Sequence, residues 1–150
     1  MPEKVTLERA RRDARQGKSA STQAGEFIRE QIDHVREGRH GVRSTKQAIA
    51  IGLSEARRAG VKLPPPKKGR VSAATRRKAK QDEAAARHPH KTSRKRSRAT
   101  TRALKREGHR GVSHAALSRQ AKQAARKRGP ADRSRAAKKA AKTRARRRRS

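Results

Sequence analysis

Apolar residues recur at helical spacing through the first 61 positions of the chain and thin out beyond them. Leu7, Ala10 and Ala14 share one face of a helix over 5–16, with Thr6 as its cap and Gly17 as its stop. Residues 16–22 read as a linker. Phe27, Ile28, Ile32 and Val35 line one face of a second helix over 23–37, with Thr22 as N-cap and Gly38 beyond its end. Glu26 and Glu30 sit toward its start and Arg36 at its end, as the helix dipole favours. Ser44 and Gln47 form an S-x-x-Q capping box for a third helix over 45–59. Its stripe is Ala48, Ile49, Gly52, Leu53 and Ala56, and Gly60 ends it. The short loop 38–43 makes residues 22–60 an αα-hairpin, with Val42 covering the turn and Val61 the exit.

The predicted core is Phe27, Ile28, Ile32, Val35, Ile49, Leu53 and Val61. Burial contributes roughly 1.5–3 kcal/mol per large side chain, against about 1–2 kcal/mol of backbone entropy per ordered residue. The hairpin therefore needs help from the 5–16 helix, from self-association or from a partner. Ile51 lies off the stripe and has two readings, an edge-of-core residue or a homodimer surface through the N-terminal helices.

Leu63-Pro-Pro-Pro66 is a stiff polyproline spacer inside a Pro/Lys linker over 62–70. A helix over 72–87, capped by Ser72, has no large apolar face and is expected to be largely unfolded on its own. From Lys122 onward the text is Ala/Lys/Arg-rich and closes on four consecutive arginines. One phrase recurs: Arg36-Glu-Gly-Arg-His-Gly-Val42 reappears as Arg106-Glu-Gly-His-Arg-Gly-Val112. Helical stretches flank both copies, so residues 98–129 read as a second, degenerate helix–loop–helix poor in large core residues. The expected class is mostly α. A small helical unit over 1–61 precedes the linker, and a basic region over 71–150 is expected to be long and largely disordered or conditionally helical.

Charge changes the picture most. The chain of 150 residues carries 46 Lys+Arg against 12 Asp+Glu, a formal net charge of +34. Residues 1–60 hold 13 basic and 8 acidic side chains, and residues 61–150 hold 33 and 4. Such a chain repels itself and is drawn to polyanions, and releasing counterions from nucleic acid supplies the affinity. The phosphate-contacting candidates are Lys67, Lys68, Arg70, Arg76, Arg77, Lys78, Arg94, Lys95, Arg96, Arg98, Arg126, Lys127, Arg128, Lys138, Lys139, Arg146, Arg147, Arg148 and Arg149. Arg43, Lys46 and Gln47, at the start of the third helix, are candidate hairpin contacts in a helix-turn-helix manner.

Aromatic residues bound the mode of recognition: Phe27 is the only one, with no Trp or Tyr. Base-stacking platforms are excluded, which favours duplex DNA or RNA read by shape. No Cys is present, removing disulfides and thiolate chemistry together. No catalytic constellation, cofactor loop or metal set is expected. His88 and His90 lack further ligands in a basic loop, and His34 with Glu30 reads as a surface pair one turn apart. No apolar run reaches the roughly 20 residues of a membrane span and the start lacks an apolar signal core, so a cytoplasmic, non-enzymatic protein is expected. The expected partner is duplex DNA, bound without sequence preference. The alternatives are an RNA- or ribosome-associated protein, or a helical interaction module whose cationic tail is a localisation signal.

The run Ser44-Thr-Lys-Gln-Ala-Ile-Ala-Ile-Gly-Leu-Ser-Glu-Ala-Arg-Arg-Ala-Gly60 resembles a bacterial family of small basic proteins whose shared domain has no assigned function. The resemblance spans about residues 22–61. It implies bacterial origin more than mechanism, its members being described as DNA-binding proteins, and carries over no catalytic residue; the nucleoid-associated role is expected from the charge. Residues 122–150 are similar in composition to the tails of histone-H1-like bacterial proteins, without their S-P-K-K unit.

Overall fold

The computed structural model describes residues 2–69, 71–88 and 93–148. Among them are seven α-helices: α1 (Lys4–Arg15), α2 (Ala20–Arg36), α3 (Thr45–Arg58), α4 (Ala73–Arg87), α5 (Arg94–Lys105), α6 (His114–Arg126) and α7 (Pro130–Arg147). A 3-10 turn at Arg110–Val112 precedes α6. The chain divides into two units, residues 1–113 and residues 114–150. The linker over 62–70 lies inside the first.

In the first unit α2 packs on α3, α1 on α2 and α4 on α3, and the 3-10 turn rests on α2 and α3. Two apolar clusters hold these elements. Phe27 is fully buried among Ala10, Ala24, Ala56, Val61 and Leu63. Val35, Val42, Ala48 and Val112 form the second cluster, with Ile32 and Ile51 packed against it. Ile51 is thus at the edge of a core. Of the seven predicted core residues, Phe27, Val35 and Val61 are buried, while Ile28, Ile32, Ile49 and Leu53 are half-buried. Alanines and a glycine fill much of the space between helices. A Cβ at Gly52 would lie 2.8 Å from the Cα and N of Ile28, so α3 meets the α2 backbone almost directly.

Two helix starts differ from expectation. Ser19, not Thr22, caps α2, its Oγ accepting from the Thr22 N–H at 3.3 Å. This extra turn brings Ala24 into the core and leaves little of the 16–22 linker. Thr6 lies within α1, buried, and Glu3 holds the N-cap position without a side-chain cap bond. The α3 start is as the sequence reads. Ser44 Oγ accepts from the Gln47 N–H at 3.3 Å, and Gln47 Oε1 accepts from the Arg43 N–H at 2.8 Å. Gly38, at φ +75°, turns the chain out of α2 in the left-handed region that an L side chain rarely adopts.

The expectation of a long disordered basic region is overturned. Residues 94–105, 114–126 and 130–147 are helical, and α4 is docked. The reason is twofold. Ala, Arg and Lys are strong helix formers even where no large apolar face is offered. The start of α7 is also well specified, with Pro130 in its first turn and Asp132 close to the positive end of the helix. Helix α4 is capped by Ser72, whose Oγ accepts from the Thr75 N–H at 3.2 Å. It docks through Ala79 and a buried Asp82 rather than a hydrophobic stripe. Ser54 Oγ of α3 donates to Asp82 Oδ2 at 2.6 Å, and Lys78 Nζ lies 3.0 Å from Asp82 Oδ1.

The two copies of the repeated phrase meet. The Gly41 N–H donates to Leu104 O and the Val42 N–H to Gly108 O, both at 2.9 Å. Thr45 Oγ1 donates to Gly111 O at 2.5 Å. The last valine of each copy, Val42 and Val112, enters the same cluster. The glycine before each valine permits the approach. A Cβ at Gly41 would fall 1.8 Å from Glu107 O, and one at Gly111 3.0 Å from Val42 O.

Candidate nucleic-acid interface

Helix α5 carries Arg94, Lys95, Arg96, Arg98, Arg102 and Lys105 in 12 residues, with no acidic residue and no buried one. Arg98, Arg102 and Lys105 stand at i, i+4 and i+7 with Ser97 and Thr101 between them. Together they line a shallow groove of about 290 Å³. Among the described residues none of the six makes an ion pair, while Glu83 is paired with Arg87 at 3.3 Å and Asp132 with Arg135 at 2.5 Å. At 1.5 Å of rise per residue α5 is about 18 Å long. A DNA strand places a phosphate every 3.4 Å or so, hence about five along that length. The six cations thus slightly outnumber the phosphates of one strand over that length of duplex axis.

In the second unit, residues 130–146 of α7 are exposed and carry Arg133, Arg135, Lys138, Lys139, Lys142, Arg144 and Arg146 against Asp132 alone. Arg135, Lys138 and Lys142 recur at i, i+3 and i+7, so they share a face. Arg126 closes α6, and Lys127 and Arg128 follow it, all exposed.

The candidates read from sequence fall out as follows. Lys67 and Lys68 are exposed in the linker. On α4, Arg77 is exposed, Arg76 is half-buried and Lys78 is spent on Asp82. Arg94, Lys95, Arg96 and Arg98 lie on α5, Lys138, Lys139 and Arg146 on α7, and Arg148 is exposed just past it. Arg147 falls within α7, while Arg70 and Arg149 lie outside the described residues, as does His90. Arg102 and Lys105 were absent from the sequence set. Their spacing from Arg98 was the available signal, hidden because 98–105 was read for apolar periodicity.

The hairpin candidates are poorly disposed as readers. Arg43 and Lys46 are exposed. The Gln47 side chain is engaged with the Arg43 backbone, and Thr45 beside it is buried under Gly111. The start of α3 is therefore covered by the second copy of the repeat, not free to enter a groove.

Acidic residues gather elsewhere. Glu3, Glu26, Glu30, Asp33 and Glu37 line a cavity of about 180 Å³ with His34, Arg9, Arg29 and Arg39. Glu30 and His34 do meet one turn apart at 3.7 Å, but Glu30 is buried, not a surface group. Glu30 Oε1 accepts from the Glu3 N–H at 2.9 Å, and its Oε2 is buried without a hydrogen-bond partner. His34 Nε2 lies 3.2 Å from Glu3 Oε1. Arg39 reaches Glu3, Glu37 and His34 from the rim. Its hydrogen bond, with that of His34, holds the Glu3 carboxyl below the usual range. On α3, burial pushes the Glu55 carboxyl up, aided by the charge of Glu30, although Gln31 Nε2 donates to it at 2.7 Å.

Among the described residues no helix is long and apolar enough to cross a membrane. No curated protein and no solved structure matches the chain. Residues 15–68, from the end of α1 through the hairpin to the linker, match a family of unknown function (DUF6496).

Proposed function

We propose that this protein binds nucleic acid, duplex DNA first, by neutralising phosphates along its exposed cationic helices, and that it works as a bacterial nucleoid-associated protein in the cytoplasm. The observation that carries this reading is α5: six exposed cations in three turns, without an ion pair among the described residues, against about five phosphates of one strand over an equal length of duplex. The faces of α7 extend the same chemistry in the second unit. Phosphate contacts position a protein without reading bases, so little sequence preference follows. Occlusion of the α3 start by Gly111 argues in the same direction.

The test is a salt titration of the full chain on a duplex and on a structured RNA of equal phosphate number. The expected affinity for duplex falls steeply with salt. Replacing the six α5 cations by Gln, which keeps helix propensity, should lower the log–log slope by about five units, since each phosphate contact contributes about 0.9. An unchanged slope in that variant would refute the role of α5. A complex indifferent to salt would refute the whole reading, and consistent preference for the RNA would replace DNA by RNA as the partner.

A further inference from the structure

We propose that Glu3, Glu30 and His34 form a binding site for a divalent transition ion of the Zn²⁺ class. In a chain with so few acids, five of the twelve line one cavity. Three side chains there offer donors within 4.8 Å of one another: one carboxylate oxygen from Glu3, one from Glu30 and a ring nitrogen from His34. His34 Nε2 stands 3.2 Å from Glu3 Oε1 and 3.7 Å from Glu30 Oε1. A tetrahedral ion with bonds of about 2.0–2.2 Å places its ligand atoms about 3.3–3.6 Å apart; the two separations from His34, 3.2 and 3.7 Å, lie just either side of that range, and the Glu3 and Glu30 oxygens lie within 4.8 Å of each other.

An independent observation concerns Glu30 itself. Glu30 is 95 % buried, from a relative exposure of 5 %, and lines this cavity. Its Oε2 has no hydrogen-bond partner. A buried carboxylate oxygen left without donor or cation is costly, and an ion held by both Glu30 oxygens, Oε1 and Oε2, would satisfy it. Position is fixed by the backbone: Glu30 and His34 are one turn apart on α2, and the Glu3 N–H binds Glu30 Oε1 at 2.9 Å, setting the start of α1 against α2. Arg39 stands at the rim, within 3.0 Å of His34 Nε2. Its side chain is 53 % exposed, and an entering ion would displace it from Glu3 and His34 toward solvent, where Glu37, 2.8 Å from its Nε, still pairs with it. One imidazole and two carboxylates, with no thiolate, favour Zn²⁺ and its first-row neighbours over Mg²⁺, which takes oxygen ligands and dehydrates reluctantly.

The test uses the full chain, ZnCl₂ as the probe and no nucleic acid, so its outcome is separate from that of the DNA reading. Calorimetry should give one Zn²⁺ per chain. Long-range ¹H–¹⁵N spectra should show the His34 Nε2 resonance moving on saturation while the other rings move less. His34→Gln and the isosteric Glu30→Gln should each weaken binding by about tenfold or more. A tenfold excess of MgCl₂ should leave Zn²⁺ bound. A His34 ring that does not respond to saturating Zn²⁺ overturns the site, and this measurement needs no variant to fold. Equal Zn²⁺ affinity in the parent and His34→Gln overturns it as well.

Discussion

Gly41→Ala tests the docking of the two repeat copies against each other. An ideal Cβ at this position lies 1.8 Å from Glu107 O and 2.3 Å from Glu107 C. Ordinary contact begins at 3.4 Å, so the 106–112 segment must retreat by 1.6 Å, the difference between the two distances. Both atoms are backbone, and no rotamer change relieves the overlap. A retreat of that size breaks the 2.9 Å bonds from the Gly41 and Val42 N–H groups. Their loss costs about 1–3 kcal/mol together, at 0.5–1.5 kcal/mol each. If the segment leaves altogether, Val112 comes out of the second cluster, for about 1.5–3 kcal/mol more. The expected destabilisation is therefore about 1–3 kcal/mol for the retreat alone and about 2.5–6 kcal/mol if Val112 leaves. Urea unfolding of the full chain measures it, with amide exchange at Val42 reporting the local event. Gly108→Ala is the control, because a Cβ there meets nothing within 4 Å and its φ is not positive. It should stay within about 0.5 kcal/mol of the parent. A Gly41→Ala variant as stable as Gly108→Ala, with Val42 still protected, would refute the loop-on-loop contact.

Other substitutions probe the rest of the first unit. Asp82→Ala strands the Ser54 hydroxyl and frees α4, at a cost of about 1–3 kcal/mol, and exchange should rise over 79–86 before it rises in α2; simultaneous loss of protection in both helices would contradict this. Glu55 has a folded-state pKa raised by burial, so its ionisation favours the unfolded chain. Its contribution is present at low pH and is lost as pH climbs from the unfolded value, 4.5, through the raised one. Glu55→Gln remains neutral and still accepts from Gln31. Its melting temperature should match the parent at pH 3.5 or so and exceed it increasingly toward neutrality; a gap independent of pH would show the reasoning wrong. Gly25→Ala and Gly52→Ala should have opposite signs. Gly25 has open space in the interior of α2 and should gain about 0.5–1 kcal/mol in thermal or urea unfolding. Gly52 faces the Ile28 backbone at 2.8 Å and should lose about 1–3 kcal/mol.

The hairpin was legible because its signals are local. The apolar spacing of α2, the Ser44 cap and the Gly38 stop each act within a turn or two of chain. Helix α4 was legible as a helix through Ser72 but not as a docked one, because its anchor is an aspartate. A buried Asp82 announces itself only when Ser54, 28 residues earlier, is opposite it. Helical stretches were legible where α5 and α6 lie, but the region was expected to be largely disordered because large apolar residues are missing, whereas Ala, Arg and Lys sustain a helix without burying them. The repeat was visible as text, yet nothing in a repeat says that its copies touch. The cluster of Glu3, Glu30 and His34 was half visible: the spacing of four residues between Glu30 and His34 was noticed, but Glu3, on a different helix start, was not.

The clasp between the repeat copies also has a consequence for biosynthesis. Val42 leaves the ribosome well before Val112, the residue that completes its cluster. The 70 intervening positions take roughly 4–14 s at 5–20 residues per second. Throughout that interval α2 and α3 can pair, but the slot beside Val42 stands open. It is closed last, by the segment that leads directly into α6. Maturation of the hairpin is thereby timed to the emergence of the second cationic unit, and a chain cut short before Val112 is born with an exposed apolar notch.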